Sequence, residues 1–230
     1  MLYDLVDKFL MNDFTKIISD ILNKQKKDYL TIFDVGCFQG NFSRNLKKKI
    51  GKKHNFYLFD ANPNLDIKDF DYTKLAFSDS EGFKKFYLNR FFPASGSSLK
   101  TIVLEDKLWN FTRQLITGKF GKQYDILEVK TESIDNFCSR KKIENIDVLK
   151  IDTEGTELEV LIGAKNILSK TDIILIEVLD QKKIFKQKCN EIINFLEKRN
   201  FKKILQKNMW SLGTLSNMSA VDILFKKNDI

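Results

Sequence analysis

The sequence predicts an α/β fold, a mostly parallel sheet with helices on both faces. Two observations carry this. From Tyr29 onward, apolar strand-like runs alternate with segments of helical periodicity. Two of those runs also end in loops of turn-forming and ionisable residues: Phe33-Asp34-Val35-Gly36-Cys37-Phe38-Gln39-Gly40 and Lys150-Ile151-Asp152-Thr153-Glu154-Gly155. In open α/β sheets ligands bind outside the carboxyl ends of the strands, so both loops belong to one expected crevice.

The elements follow in order. Leu2–Lys26 has apolar residues at helical spacing, from Leu2 and Leu5 through Ile18 and Leu22. It predicts one or two amphipathic helices ahead of the core. Leu30–Val35 is a strand, Asn41–Ile50 a helix with basic outer positions, and Asn55–Phe59 a strand that ends at Asp60. Lys74–Phe77 is a short strand, and Phe83–Leu88 another, placed as an edge hairpin partner. Asn89–Lys100 lacks periodicity and holds Phe91, Phe92, Gly96 and three serines, which suits a loop and a mobile lid. Leu104–Ile116 is a candidate helix. Tyr124–Lys130 is a strand, followed by a helix over Ser133–Arg140 with Ser133 as its cap. The strand Asp147–Ile151, the helix Glu157–Leu168, the strand Asp172–Val178 and the helix Asn190–Lys198 continue the alternation. Phe201–Gln206 and Ala220–Phe225 have no helical pattern between them and predict a terminal antiparallel pair.

With 230 residues, 43% of them hydrophobic, the chain can fill a core. The expected division is a helical extension over 1–28 and one catalytic domain over 29–230. Net charge is +8, but the lysines are scattered and arginine is rare, so the charge points to composition rather than to nucleic acid. Cys37, Cys138 and Cys189 are far apart and odd in number, which excludes a zinc motif or disulfide framework. No apolar run approaches the ~20 residues of a membrane span. The default is a reducing, cytoplasmic compartment.

Three constellations carry chemistry. The first is the turn after Asp34. Its glycines, Gly36 and Gly40, are spaced GxxxG rather than GxGxxG, and Phe38 stands where dinucleotide binders have their central glycine. This disfavours NAD and FAD and favours a nucleoside without a diphosphate. The second is Asp60, an acid at the next strand end roughly 20 residues on, which can accept both hydroxyls of a ribose. Capping the Asn62-Pro63 turn is the alternative. Ser78 and Asp79 are either partners of an adenine amino group or ordinary turn residues. The third is Lys150, Asp152 and Glu154. Alternation puts Lys150 and Asp152 on one side of their strand. Asp152 is a candidate general base toward a hydroxyl. Glu154 has either a role in the site or one at the start of the next helix, where acids are favoured. The two acids lack the further ligands of a metal site. His54, the only histidine, lies at the opposite end of its strand, which excludes a histidine-based triad.

With those motifs the chain resembles the FkbM family of S-adenosylmethionine-dependent methyltransferases, over roughly Leu30 to Val178. The resemblance rests on Phe33-Asp34-Val35-Gly36 with Gly40, on Asp60-Ala61-Asn62-Pro63, on Leu75-Ala76-Phe77-Ser78-Asp79 with Gly82, on Ser97-Ser98, and on Val129 to Asp135. Its most specific block is Lys150-Ile151-Asp152-Thr153-Glu154-Gly155 with Glu157, Val160, Leu161 and Gly163. It implies a seven-stranded, Rossmann-like class I methyltransferase fold. It also implies S-adenosylmethionine bound by Asp34, Gly36, Gly40, Asp60 and Asp79, with O-methylation of a sugar, glycan or small-metabolite hydroxyl. Cys37, Phe38, Ala61 and Ser78 complete the candidate donor-binding set; Lys150, Asp152 and Glu154 are the candidate catalytic set. Two departures stand out. Asp60 is shorter than the family's usual Glu, and Cys37-Phe38 replace small or amide residues. An NAD-linked sugar oxidoreductase and a basic RNA-binding module or RNA methyltransferase are the alternatives. A homodimer is compatible with the N-terminal helices.

Overall fold

The structure is a computed structural model that describes residues 2–90, 97–100, 111, 114, 115, 118, 120–208 and 218–228. A long helix, α1 (Leu2–Lys24), precedes β1 (Tyr29–Val35), α2 (Asn41–Lys47), β2 (Lys53–Asp60) and β3 (Asp71–Lys74). Then come β4 (Ala76–Phe77), β5 (Gly82–Asn89), β6 (Tyr124–Glu132), α3 (Ile134–Lys141), β7 (Ile146–Ile151) and α4 (Glu157–Ile162). The last elements are β8 (Thr171–Gln181), α5 (Lys182–Glu197), β9 (Phe201–Asn208) and β10 (Met218–Lys227).

The main sheet has seven strands in the order β3-β2-β1-β7-β8-β10-β9. Neighbours from β3 through β8 are parallel, and β10 runs antiparallel to both β8 and β9. The expected fold class, with its terminal antiparallel pair, is the one observed. Every residue of β7 is buried, as a central parallel strand covered on both faces requires. One face packs α3, α4 and α5 in a cluster that includes Phe33, Phe59, Phe137, Leu161 and Ile192. The opposite face packs α1 and α2 through Phe14, Ile18, Leu22, Phe42 and Leu46 against Ile32, Leu58 and Val148. The N-terminal helix thus contributes three fully buried side chains, Phe14, Ile18 and Leu22, to the core of the sheet.

Several element boundaries differ from the sequence expectation, three of them instructively. Lys74–Phe77 is not one strand. Lys74 pairs with Asp60 in the main sheet, whereas Ala76 and Phe77 pair with Thr131 and Glu132 in a second, three-stranded sheet of order β4-β6-β5. Leu75 is the pivot, its N–H donating to the Asp60 carbonyl at 3.0 Å. Phe83–Leu88 lies in an edge strand, β5, antiparallel to β6 from Gly82↔Thr131 to Asn89↔Tyr124, but residues 90–123 separate the two, so the pair is not a tight hairpin. The helix expected over Glu157–Leu168 stops at Ile162 and resumes as a 3₁₀ turn, Ile167–Lys170. Gly163 follows the last residue of the helix, where the chain packs on the Ser78 carbonyl, 2.1 Å from where a Cβ would stand. The helix expected from Asn190 begins at Lys182, since its first turns are lysine-rich and hide the apolar period. Ser133 caps α3 as expected, accepting from the Asn136 N–H at 3.1 Å. Most of the expected helix Leu104–Ile116 and the centre of the expected lid, 91–96, lie outside the described residues.

Candidate active site

The site lies where β1, β2 and β7 end. After β1 the chain turns through positive φ at Gly36 (73°), Phe38 (45°) and Gly40 (75°). The Gly36 and Cys37 N–H groups donate to the Phe59 carbonyl at 2.9 and 3.1 Å, and Gly40 donates to Cys37 at 2.7 Å. Asp60 ties this turn to the next. Its Oδ2 accepts from the Phe38 N–H at 2.9 Å and its Oδ1 from the Asn62 N–H at 2.8 Å. Burial pushes the Asp60 carboxyl above the usual range, against the pull of those two N–H groups and of Lys150.

At the end of β7, Lys150 is buried, and its Nζ stands 3.1 Å from Asp152 Oδ2 and 3.4 Å from Asp34 Oδ1. The same nitrogen donates to the Gly36 carbonyl at 3.4 Å. Register explains the first two contacts: Asp34 pairs with Lys150 across β1 and β7, and Asp152 lies two residues on from Lys150. Burial alone lowers a lysine, but Asp152 and Asp34 outweigh it and hold this ammonium charged, above the usual lysine range.

The loop that follows is built from within. Glu154 and Gly155 both have positive φ, 55° and 113°. Glu157, fully buried, accepts from the Gly155 N–H at 2.6 Å and from Thr153 Oγ1 at 3.4 Å. Lys188 of α5 pairs with Glu157 at 3.0 Å and donates to the Gly155 carbonyl at 2.8 Å. Among the described residues four non-glycines have positive φ. Lys142 and Asn200 follow helix ends, and the other two, Phe38 and Glu154, line the cleft. Strain of this kind gathers where a site over-determines its backbone.

The cleft at these loops is lined by Gly36 and Phe38 after β1, by Asp60, Ala61 and Asn62 after β2, and by Asp152, Thr153, Glu154 and Thr156 after β7, with Leu75, Ala76, Phe77, Phe86 and Leu99 adding an apolar wall. Six expected site residues therefore border one space: Gly36, Phe38, Asp60, Ala61, Asp152 and Glu154. The rest stand behind it. Asp34 is fully buried and holds the Ser43 hydroxyl at 2.6 Å and Lys150. Cys37 is buried, and burial pushes its thiol up. Gly40 begins α2 and packs on Leu58. Ser78 is buried and accepts from Lys84 Nζ at 2.6 Å, while Asp79 pairs with the same lysine at 3.2 Å.

Reading the sequence alone missed Glu177 of β8, the one acid in the apolar run Ile173–Val178. It faces Asp152, Glu154 and, across the ladder, Asp222; burial first, then these acids, push its carboxyl well above the usual range. The signal was present: a lone acid near the carboxyl end of a buried strand. Among the described residues no group of three or more potential ligands is placed to hold a metal.

The methyltransferase FkbM domain model matches residues 34–203. The chain belongs to this methyltransferase family. It is an S-adenosylmethionine-dependent enzyme. The cleft fits that cofactor: carboxyls able to accept from a diol or to face a sulfonium, and an apolar wall, with no lysine or arginine among the described lining residues. The methyltransferase is 26% identical to the 2-O-methyltransferase NoeI of Sinorhizobium fredii over 176 residues, 72% of this chain and 70% of NoeI. Among solved structures it resembles the N-methyltransferase NodS of Bradyrhizobium japonicum (TM-score 0.47, 6% identity, 96% and 97% of the two chains covered). It also resembles an rRNA methylase of Streptococcus thermophilus (TM-score 0.44, 14% identity, 96% of each chain covered). No helix among the described residues is long and apolar enough to cross a membrane.

Proposed function

We propose that this methyltransferase moves the methyl group of S-adenosylmethionine to a hydroxyl oxygen of a sugar, a glycan or a small hydroxylated metabolite. The observation that carries the reading is that Asp60 and Asp152 line one cleft, with Asp152 backed by a buried ammonium. When bound, S-adenosylmethionine supplies an electrophilic methyl on a sulfonium. Asp60 accepts the ribose hydroxyls through lone pairs left free by Phe38 and Asn62, and the wall from Ala61 to Phe77 receives the base. Asp152 orients the acceptor hydroxyl and takes its proton, a role that needs a carboxylate at the cleft surface. Glu154, held at its strained φ by the Glu157–Gly155 bond, adds negative charge beside the methyl donor.

NoeI is a 2-O-methyltransferase, which supports an oxygen acceptor. A nucleic-acid acceptor is disfavoured because phosphates would enter a cleft whose charged described lining is Asp60, Asp152 and Glu154. Three buried thiols without disulfides suit a reducing, cytoplasmic setting. Labelled S-adenosylmethionine incubated with a panel of neutral glycans, hydroxylated metabolites and oligonucleotides tests the reading. Label on a hydroxyl of a neutral acceptor supports it, and label on the oligonucleotides alone rejects it.

A further inference from the structure

Glu177 sits where three strands meet. The parallel register Ile151↔Ile176 brings it beside Asp152 at the end of β7, and the antiparallel register pairs it with Asp222 of β10. One residue past the paired Ile151 and Ile176, Asp152 and Glu177 are neighbours across adjacent strand ends. Glu154 faces the same spot from the loop after β7, and Lys150 faces it from β7 itself. That ammonium is shared by Asp34 and Asp152.

An ionised carboxylate only accepts hydrogen bonds, so two neighbouring carboxylates repel, and one of them must keep a proton. Lys150 stands 3.1 Å from Asp152 and stabilises its negative charge. Glu177 is flanked by Asp152, Asp222 and Glu154, three acids. The proton therefore belongs on Glu177.

We propose that Glu177 is a positioning residue: as an un-ionised acid it donates a hydrogen bond to Asp152 and fixes that carboxylate between itself and Lys150. The inference rests on Asp152 being the group that meets the acceptor. It has a direct consequence. When Glu177 loses its proton, two anions are neighbours, and Asp152 swings from its place.

The test has two parts. Infrared spectra of the intact protein near neutral pH, wild type minus Glu177→Gln, should show the carbonyl band of a protonated carboxyl, and alkali should remove it from the wild type. Carbon-13 NMR of glutamate-labelled wild type reads the same proton should the variant not fold. Absence of a protonated glutamate by either method overturns the proposal. Both readouts need no acceptor, so their failure is distinct from failure of the O-methylation reading.

With an acceptor from the panel, Glu177→Gln, a permanent donor, should move the alkaline limb of kcat upward by about one pH unit or more. Glu177→Ala, which has no donor, should lower kcat about tenfold or more at every pH with KM for S-adenosylmethionine kept. An alkaline limb unchanged in Glu177→Gln also overturns the proposal.

Discussion

Gly36 lies so close to Asp152 that a Cβ on the glycine would stand 1.7 Å from the Asp152 carbonyl oxygen. The turn after β1 and the loop after β7 are in direct backbone contact, closed further by the Asp152 N–H donating to the Val35 carbonyl at 2.9 Å. A side chain at Gly36 would meet the Asp152 carbonyl, and φ of 73° adds left-handed strain. Gly36→Ala should therefore lose about 1–3 kcal/mol of stability or more, together with S-adenosylmethionine binding. Chemical denaturation and calorimetric titration of one preparation check this. A fully stable variant that only fails to bind would make the ligand the obstacle instead.

Asp60, proposed to hold the ribose of the donor, is the residue whose removal should read out most directly. Asp60→Asn should weaken S-adenosylmethionine by roughly 1.5–3 kcal/mol, the loss of a charged hydrogen-bond partner. Its pH dependence follows from the raised carboxyl. The ligand is a cation with a donating diol, so it prefers ionised Asp60. Affinity should be full above the raised value and fall as pH drops through it, earlier than for an ordinary carboxylate. The fall should vanish in Asp60→Asn. Titrations across the acidic range in both proteins decide it.

Asp79 should matter little to the donor. Desolvation raises its carboxyl, but Lys84 and Ser78 more than offset it and hold it below the usual range. Both partners lie with it outside the cleft lining. Asp79→Ala should leave S-adenosylmethionine affinity within about twofold, an effect of under ~0.5 kcal/mol. A tenfold loss would reinstate the adenine contact suggested by the family resemblance.

What could be read from sequence was what is local. Alternating elements gave the parallel sheet, and two adjacent strands without a helical pattern gave its antiparallel end. Strand alternation put Lys150 and Asp152 on one side, and their side chains meet at 3.1 Å. What escaped depends on register between distant segments. Asp34 looked like a ligand contact until its pairing with Lys150 and its bond to Ser43 placed it beneath the floor. Glu157 appeared only as the first residue of an expected helix; its partner Lys188 comes from another helix. Leu75 divides two sheets because Ala76 finds Thr131, a residue no local pattern links to it. Glu177 was visible only as one acid among apolar neighbours, and its meaning came with Asp152 and Asp222 on either side.

Asp152 should govern chemistry more than donor affinity. It lines the same cleft as Asp60, with its carboxylate held at 3.1 Å by Lys150. Asp152→Asn keeps size and one acceptor but removes the charge that takes a proton. kcat should fall by roughly 10²–10⁴, the usual scale for a general base. The Kd for S-adenosylmethionine should change far less, because a base acts in the transition state. The charge of Lys150 complicates the variant, since it keeps Asp34 as a partner at 3.4 Å. Lys150→Met separates the effects. It strands a fully buried Asp34 and should cost about 3–5 kcal/mol of stability, as for any broken buried pair. Asp152→Asn should leave the melting temperature close to wild type while turnover collapses. Near-normal turnover with a lowered Tm would instead make Asp152 a partner for Lys150 alone, and the base would have to be sought at Glu154.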